Sequence, residues 1–336
     1  MAIITGTNGD DTIFGKAGDD IIDAGAGNDT IYEGKGYAGG GADTIDGGAG
    51  NDRLNIINYS DTANTTINYT SISNGTISGG SNNGTTFKNI ESVVFYTCSG
   101  NDYINISAAA GNNYIVSGAG NDMIVGSAGN DSFNSGTGAD TIDRGAGYDS
   151  LGIYNNYDTA NTTISYTSTG NGTIAGGSSN GTTFKNIEAF SFATGSGKDY
   201  INISAATGNS DISSGAGNDT ITGGTGNDTI YAEDGDDYID GGVGADTIDG
   251  GAGNCNFSIF NYNNTANTNI TYTSISNGTI TGGSNNGTTF KNIESISVTT
   301  GSGNDTINIS ATTGYNYSNP IWFTEKNGSS LLSMQN

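Results

Sequence analysis

Residues 24–32 read AGAGNDTIY, and the same nine-residue phrase returns as GGAGNDRLN at 47–55, GGTGNDTIY at 223–231 and GGVGADTID at 241–249. Its nine positions are a small residue, glycine, any residue, glycine, a polar residue, aspartate, any residue, an aliphatic residue and any residue. Two demands follow each other in it. The glycines permit the positive φ angles of a tight turn, and the last three positions set one apolar side chain between two outward ones, which is a short strand with one face buried. A chain that repeats the phrase is a stack of turns and strands in which each unit buries its apolar residue only against its neighbours.

Working outward, units begin at residues 6, 15, 24, 38 and 47, with a five-residue insertion over 33–37. They resume at 97, 108, 117, 126, 135 and 144, again at 194, 205, 214, 223, 232, 241 and 250, and briefly from Thr300. Between the runs stand three copies of a 41-residue spacer, at 56–96, 153–193 and 259–299, each a version of TANTTINYTSISNGTISGGSNNGTTFKNIES. The segments are therefore 1–55, 56–96, 97–152, 153–193, 194–258, 259–299 and 300–314, followed by a tail, 315–336, that leaves the pattern. The spacers alternate Thr, Ile and Tyr with polar residues around Asn-Gly, which is strand and turn chemistry. Their length is close to two further eighteen-residue coils, so they are expected to continue one stack. Modules starting at Gly47, Arg144 and Gly250 are 97 and 106 residues apart, a difference of one nonapeptide.

Composition narrows the function. The 336 residues include 57 glycines, one proline and no histidine, with 9 Lys+Arg against 34 Asp+Glu for a formal charge of −25. Such acidity opposes nucleic acid as a partner. The lack of histidine removes the Ser-His-Asp triad, most zinc sites and the commonest general base. No apolar run is long enough for a transmembrane helix.

The repeated G-G-x-G-x-D-x-U-x unit resembles that of the RTX, or haemolysin-type, calcium-binding repeat proteins. The resemblance implies an all-β fold, a parallel β-roll or β-helix solenoid in which calcium sits between successive turns. Its carboxylate ligands would be Asp11, Asp20, Asp29, Asp43, Asp52, Asp102, Asp122, Asp131, Asp140, Asp149, Asp199, Asp219, Asp228, Asp237, Asp246 and Asp305. Turn carbonyls such as those of Gly25, Gly27, Gly48, Gly50, Gly118, Gly120, Gly215, Gly217, Gly224 and Gly226 would complete them. The residue chemistry agrees, since calcium takes six to eight oxygen ligands and carboxylates with carbonyls supply them. About a dozen Ca²⁺ would nearly cancel the acidity. Asn113, Ser210, Cys255 and Asn316 interrupt the aspartate series, and sites that depend on them are expected to be weak or empty. One inward side chain per nine ordered residues is a small return on the entropy lost, so the runs are expected to need calcium to fold.

Proteins of the family leave the cell by type I secretion through a C-terminal signal. The tail with Trp322, Phe323, Leu331 and Leu332 fits either that signal or a cap on the last coil. An extracellular or cell-surface location is expected. No protease, lipase or pore-forming motif accompanies the repeats, so no enzyme is expected. The leading expectation is a secreted calcium-binding structural protein that assembles with itself, through its ends or flanks, into a filament or surface layer. The alternative is a monomeric calcium-dependent adhesin or carbohydrate-binding module that meets cell-surface polysaccharide through Tyr69, Tyr166 and Tyr272, although packing along the stack is the simpler role for those rings. Cys98 and Cys255 are expected to be unpaired within the chain, with an intermolecular disulfide as the other option.

Overall fold

Each nonapeptide ends in a three-residue strand whose middle residue turns inward: Ile13 in Thr12–Phe14, Ile22 in Ile21–Asp23 and Ile45 in Thr44–Asp46 are buried while the residues before them are exposed. The computed structural model describes residues 1–33, 40–168, 171–261, 263–274 and 276–308, with the backbone of the strands Ile321–Glu325 and Leu331–Ser333. Strands two units apart pair in parallel, Ile13 opposite Ile31 and Ile4 opposite Ile22, so eighteen residues make one coil and successive units lie in two facing sheets. This is the all-β parallel roll that the repeat implies.

The chain divides into two compact units, Met1–Ile153 with Ser178–Ile187, and Tyr154–Gly177 with Glu188–Asn336. In the first, Ile31, Leu54 and Val93 form one inward ladder and Ile22, Ile45 and Phe87 another, all buried. In the second, Ile201, Ile221, Ile239 and Phe257 line one sheet, and Ile212, Ile230, Ile248 and Phe290 the other. The core is one aliphatic or aromatic side chain thick on each side.

The spacers join these sheets, but they are not pairs of regular coils. In the first, Thr66–Ser71 and Asn74–Ser78 form an antiparallel hairpin, and Thr76 of its second strand opposes Thr86 of Thr86–Lys88, again antiparallel. Thr86–Lys88 rejoins the parallel stack beside Thr44–Asp46, and Thr66–Asn68 hands it on to Tyr103–Asn105. One sheet thus gains three strands from the spacer where the other gains only Ser92–Tyr96. The turn is local: Ile72 and Ser73 reverse the chain, Asn74 and Gly75 already pair with Ser71 and Tyr69, and the chain returns along the same sheet where a nonapeptide turn would cross to the opposite one.

In the second unit the hairpin of Thr163–Ser165 with Gly172–Ala175 lies in the sheet of Tyr200–Asn202, and that of Asn269–Tyr272 with Gly278–Thr281 lies beside Thr306–Asn308 in the opposite sheet. Seven nonapeptides separate these spacers, and each one moves the chain across, so an odd count exchanges the faces.

Tyr69, Tyr166 and Tyr272 take the simpler role of packing along the stack and form no exposed aromatic row. All three are buried, and they meet Phe87, Phe190 and Phe290 edge-on with centroids 5.0, 5.5 and 5.3 Å apart. They fill the widened core of the spacer coils. Trp322, Phe323, Leu331 and Leu332 stand in strands that pair with Ser295–Thr300 and Thr306–Asn308, while their side chains, Asn316 and most of the 33–37 insertion lie outside the described residues.

Candidate metal centre

The position-six aspartates stand where each turn enters its strand, and beyond Asp11 in the first coil one oxygen of each is spent on the stack. Oδ1 of Asp29 accepts the main-chain N–H of Asp11, one coil earlier, at 2.8 Å, and Oδ1 of Asp52 accepts that of Asp29 at 2.8 Å. The same bond runs from Asp102 to Asp122 to Asp140, and from Asp199 to Asp219 to Asp237, at 2.8–3.0 Å. It also joins Asp20 to Asp43, Asp131 to Asp149, and Asp228 to Asp246. The spacers terminate these ladders. Main-chain N–H groups of Thr65, Thr162 and Thr268 donate to Asp102, Asp199 and Asp305, and the hydroxyls of Thr85, Thr182 and Thr288 accept from the N–H of Asp43, Asp140 and Asp246.

The second oxygen divides the aspartates into two kinds. Oδ2 of Asp11, Asp20, Asp131 and Asp228 accepts the main-chain N–H of position two in its own turn, from Thr7, Lys16, Ser127 and Gly224, at 2.6–2.9 Å. Oδ2 of Asp29, Asp43, Asp52, Asp102, Asp122, Asp140, Asp199, Asp219, Asp246 and Asp305 is buried and meets no donor. In eight of these ten the open oxygen goes with a positive φ at position two. Where Gly25, Gly48, Gly118, Gly136, Gly195, Gly215 or Gly242 takes a positive φ, as Cys98 also does at +74°, its N–H turns away and the carboxylate is left open. Gly48, Gly136 and Gly242 instead donate to the position-nine side chains of Asp46, Asn134 and Asp240. Asp305 is open although Gly301 lacks that φ.

An open buried carboxylate is costly when charged. Burial pushes Asp52, Asp102, Asp140 and Asp219 up to about 6 and Asp246 to about 7. Asp43, Asp122 and Asp199 move in the same direction for the same reason. A divalent cation beside Oδ2 removes this penalty, so the residues fit the ion that the repeat implies. No three carboxylates or thiols of the described residues converge, which leaves an ion to be held by carboxylate oxygens together with main-chain carbonyls.

The interruptions carry the same message. Where aspartate is missing, a hydrogen-bond donor takes its place among acceptors. Asn113 Nδ2 donates to Gly111 O at 2.8 Å and to Asp131 Oδ1 at 2.9 Å, and Ser210 Oγ to Gly208 O at 3.4 Å. Cys255 is buried, with Sγ 3.1 Å from Gly250 O and 3.6 Å from Asp237 Oδ2. Burial pushes its thiol up to about 12, so it stays a neutral donor and is closed to disulfide exchange in the folded chain.

Of the glycines expected to offer carbonyls, Gly25, Gly118, Gly215 and Gly224 already accept an N–H from the next coil, from Ala49, Thr137, Asp234 and Val243. The position-four carbonyls lie against the next glycine: a Cβ on Gly50, Gly138 or Gly235 would fall 1.6–1.8 Å from the oxygen of Gly27, Gly120 or Gly217. Likewise Gly25 O lies against Gly48 and Gly224 O against Gly242, and a Cβ on Gly244 would meet Gly226 O at 2.0 Å.

Two features were not foreseen from sequence. Position-five asparagines form an exposed ladder, with Asn28 Oδ1 accepting from Asn51 N at 2.9 Å and Asn101 Oδ1 from Asn121 N at 2.8 Å. Arg144, in the place of a position-one glycine, is fully buried with its guanidinium 4.0 Å above the Phe133 ring. It donates to the carbonyl of Ser150, and at 3.5 Å to those of Asp131 and Phe133. The arginine could have been noticed as the one cationic residue at a position otherwise small or hydroxylic.

The family model for the RTX calcium-binding nonapeptide repeat matches residues 3–36, 37–55, 99–124, 116–151, 194–230, 204–239 and 222–254. The matches fall on the nonapeptide runs and stop at the spacers. No curated protein matches the chain.

Proposed function

Because the chain belongs to the RTX calcium-binding nonapeptide repeat family, we propose that it is an extracellular structural protein that folds on calcium and assembles edge to edge into a filament or surface layer. RTX repeats bind Ca²⁺, and the open carboxylates of Asp52, Asp102, Asp122, Asp140, Asp199, Asp219 and Asp246 are the groups that would hold it here. The ion supplies positive charge between stacked turns whose carboxylates otherwise repel. This chain's own residues fix the distance between turns through the Oδ1 and asparagine ladders. Millimolar calcium outside cells suits sites of the weak extracellular class, and export by type I secretion accords with a chain that folds only after leaving.

The observation that carries self-assembly is the first coil. Among the described residues, Ile3–Thr5 pairs only with Ile21–Asp23, and Thr12–Phe14 only with Thr30–Tyr32. Two parallel strands thus present open edges beside exposed Ile3, Ile21 and Phe14, a template for another strand. Electron microscopy in about 5–10 mM calcium, above the weak end of such affinities, is expected to show assemblies that dissolve in chelator. Gly6 N bonds Asp23 O and Ile21 N bonds Ala2 O, so the groups of Ile3 and Thr5 face outward. Ile3→Pro and Thr5→Pro should therefore abolish assembly while calcium-induced circular dichroism is kept. A wild-type chain that stays monomeric at high concentration in calcium overturns the reading.

A further inference from the structure

On the outer face of the second unit, an open trough of about 620 Å³ lies over the strands Ala189–Ala193, Asp211–Ser213 and Thr229–Tyr231. We propose that it binds a non-anionic saccharide, a pyranose carrying hydroxyl or protonated amino groups. Register supplies the shape: Ala193, Ser213 and Tyr231 are opposite one another on adjacent strands, so two small residues lie next to an aromatic one. Two strand spacings make a floor about 10 Å wide.

Tyr154 and Tyr231 wall the trough and are 53% and 45% exposed, unlike the buried spacer tyrosines. Tyr154 is held in place by a 2.9 Å bond between its hydroxyl and Ser191 Oγ. Exposed tyrosine faces accept the C–H face of a sugar ring or a cation. The charged groups are both carboxylates: Asp211 is exposed, and Glu233 takes the hydroxyl of Ser213 on one oxygen, while Asn156, Ser191 and Ser196 add neutral polar groups to the lining. No lysine or arginine lines the trough, so uronic acids, sulfates and phosphates meet repulsion.

Glu233 supplies an independent observation. It occupies position two of its turn at φ +68°, where most turns use glycine. That conformation is held by the next coil, whose Ala252 N–H donates to Glu233 O at 2.7 Å. A non-glycine residue kept in the left-handed region at the rim of a cavity is strain retained where a side chain is needed.

Calorimetry on the full chain in calcium should use cellotetraose as the neutral probe, the glucosamine tetramer as the cationic one and tetragalacturonate as the anionic one. Binding is expected for the first, the second or both, which identifies a neutral or an amino sugar. Tyr154→Ala and Tyr231→Ala should each weaken it at least about tenfold, and Asp211→Asn should weaken the cationic probe more than the neutral one. Tyr200→Ala removes an exposed tyrosine of the opposite sheet and should leave binding unchanged. The proposal is overturned if neither non-anionic probe binds, if tetragalacturonate binds as well as they do, or if the two trough variants bind like wild type with unaltered circular dichroism. The site needs only the folded chain, so loss of assembly in Ile3→Pro leaves its test intact.

Discussion

The donors at one oxygen separate two kinds of aspartate that the sequence writes identically. Asp131 has Ser127 N and Oγ on Oδ2 at 2.8 and 2.9 Å, whereas Asp122, one unit earlier and equally buried, has no donor there. Asp122→Asn is therefore expected to stabilise the chain in chelator and destabilise it in calcium, by about 1–3 kcal/mol in each direction. Asp131→Asn should destabilise it in both. Paired thermal melts read all four values, and identical behaviour of the two variants would show that open carboxylates do not hold the ion. pH reports the same chemistry. Burial raises Asp246 to about 7 and Asp52, Asp102, Asp140 and Asp219 to about 6, so the folded calcium-free chain holds more protons than the unfolded one between about pH 4 and 7. Its stability should fall as pH rises through that window. With calcium the order reverses, because the ion needs the deprotonated carboxylate and acid releases it. Melting temperatures at pH 5 and 7.5, with calcium and with a chelator that binds at both, should shift in opposite directions.

Turns and spacers obey different rules at the scale of the element. In a turn, glycine answers both to φ and to the coil below. Gly18 at φ +91° has nothing within 4 Å of a built Cβ, whereas a Cβ on Gly120 at φ +142° would lie 1.8 Å from Gly100 O. Gly18→Ala is expected to cost about 1 kcal/mol from conformation alone. Gly120→Ala should cost several times more and reduce calcium binding, because the turn stack must open; equal melting points for the two would refute the role of stacking. Each spacer returns to the roll through one clamp. Lys88, Lys185 and Lys291 pair with the position-nine Asp46, Asp143 and Asp249 at 2.6–2.8 Å, and Asn89, Asn186 and Asn292 bond the other carboxylate oxygen at 2.7–2.9 Å. Burial alone would raise these carboxyls, but the ammonium and amide outweigh it and hold them below their ordinary value. The lysines are largely exposed, so Lys88→Ala should shift stability by no more than about 1 kcal/mol.

At the scale of the whole molecule, nine residues are a step and eighteen a period. Every nonapeptide carries the chain to the opposite sheet, and whichever sheet receives them the first and third spacers present the same Tyr–Phe contact and all three the same Lys–Asp pair. Deleting 223–240 removes a full coil from the second unit and should preserve the face on which the last hairpin sits. Deleting 223–231 should move that hairpin across, and both variants are expected to fold in calcium with melting points within a few degrees of each other. Failure of the nine-residue deletion alone would show that the two faces are not interchangeable.

Periodicity was legible without coordinates because it is a local property. The glycines, the inward aliphatic residue and the phased aspartates specified a parallel roll, its nine-residue unit and its candidate ligands, and the position-eight residues Ile13, Ile22, Ile31, Ile45, Leu54, Ile104, Ile124, Phe133 and Ile230 are all buried. Which aspartates keep an open oxygen was not legible, since it depends on the φ of position two, and glycine occupies that position in both Gly118 and Gly224 while only Gly118 takes the positive angle. The fold of the spacers was also decided in three dimensions. Their alternation marks strands without saying which strand each will meet: the hairpin turn is local, but the pairing of Thr86–Lys88 with Thr44–Asp46 and of Thr66–Asn68 with Tyr103–Asn105 exists only once the coils are stacked. The amino-acid sequence set the repeat, because a turn and a strand are local choices; only packing between coils decided where carboxylates stay unmet and which tyrosines face solvent, because those depend on what the neighbouring coil presents.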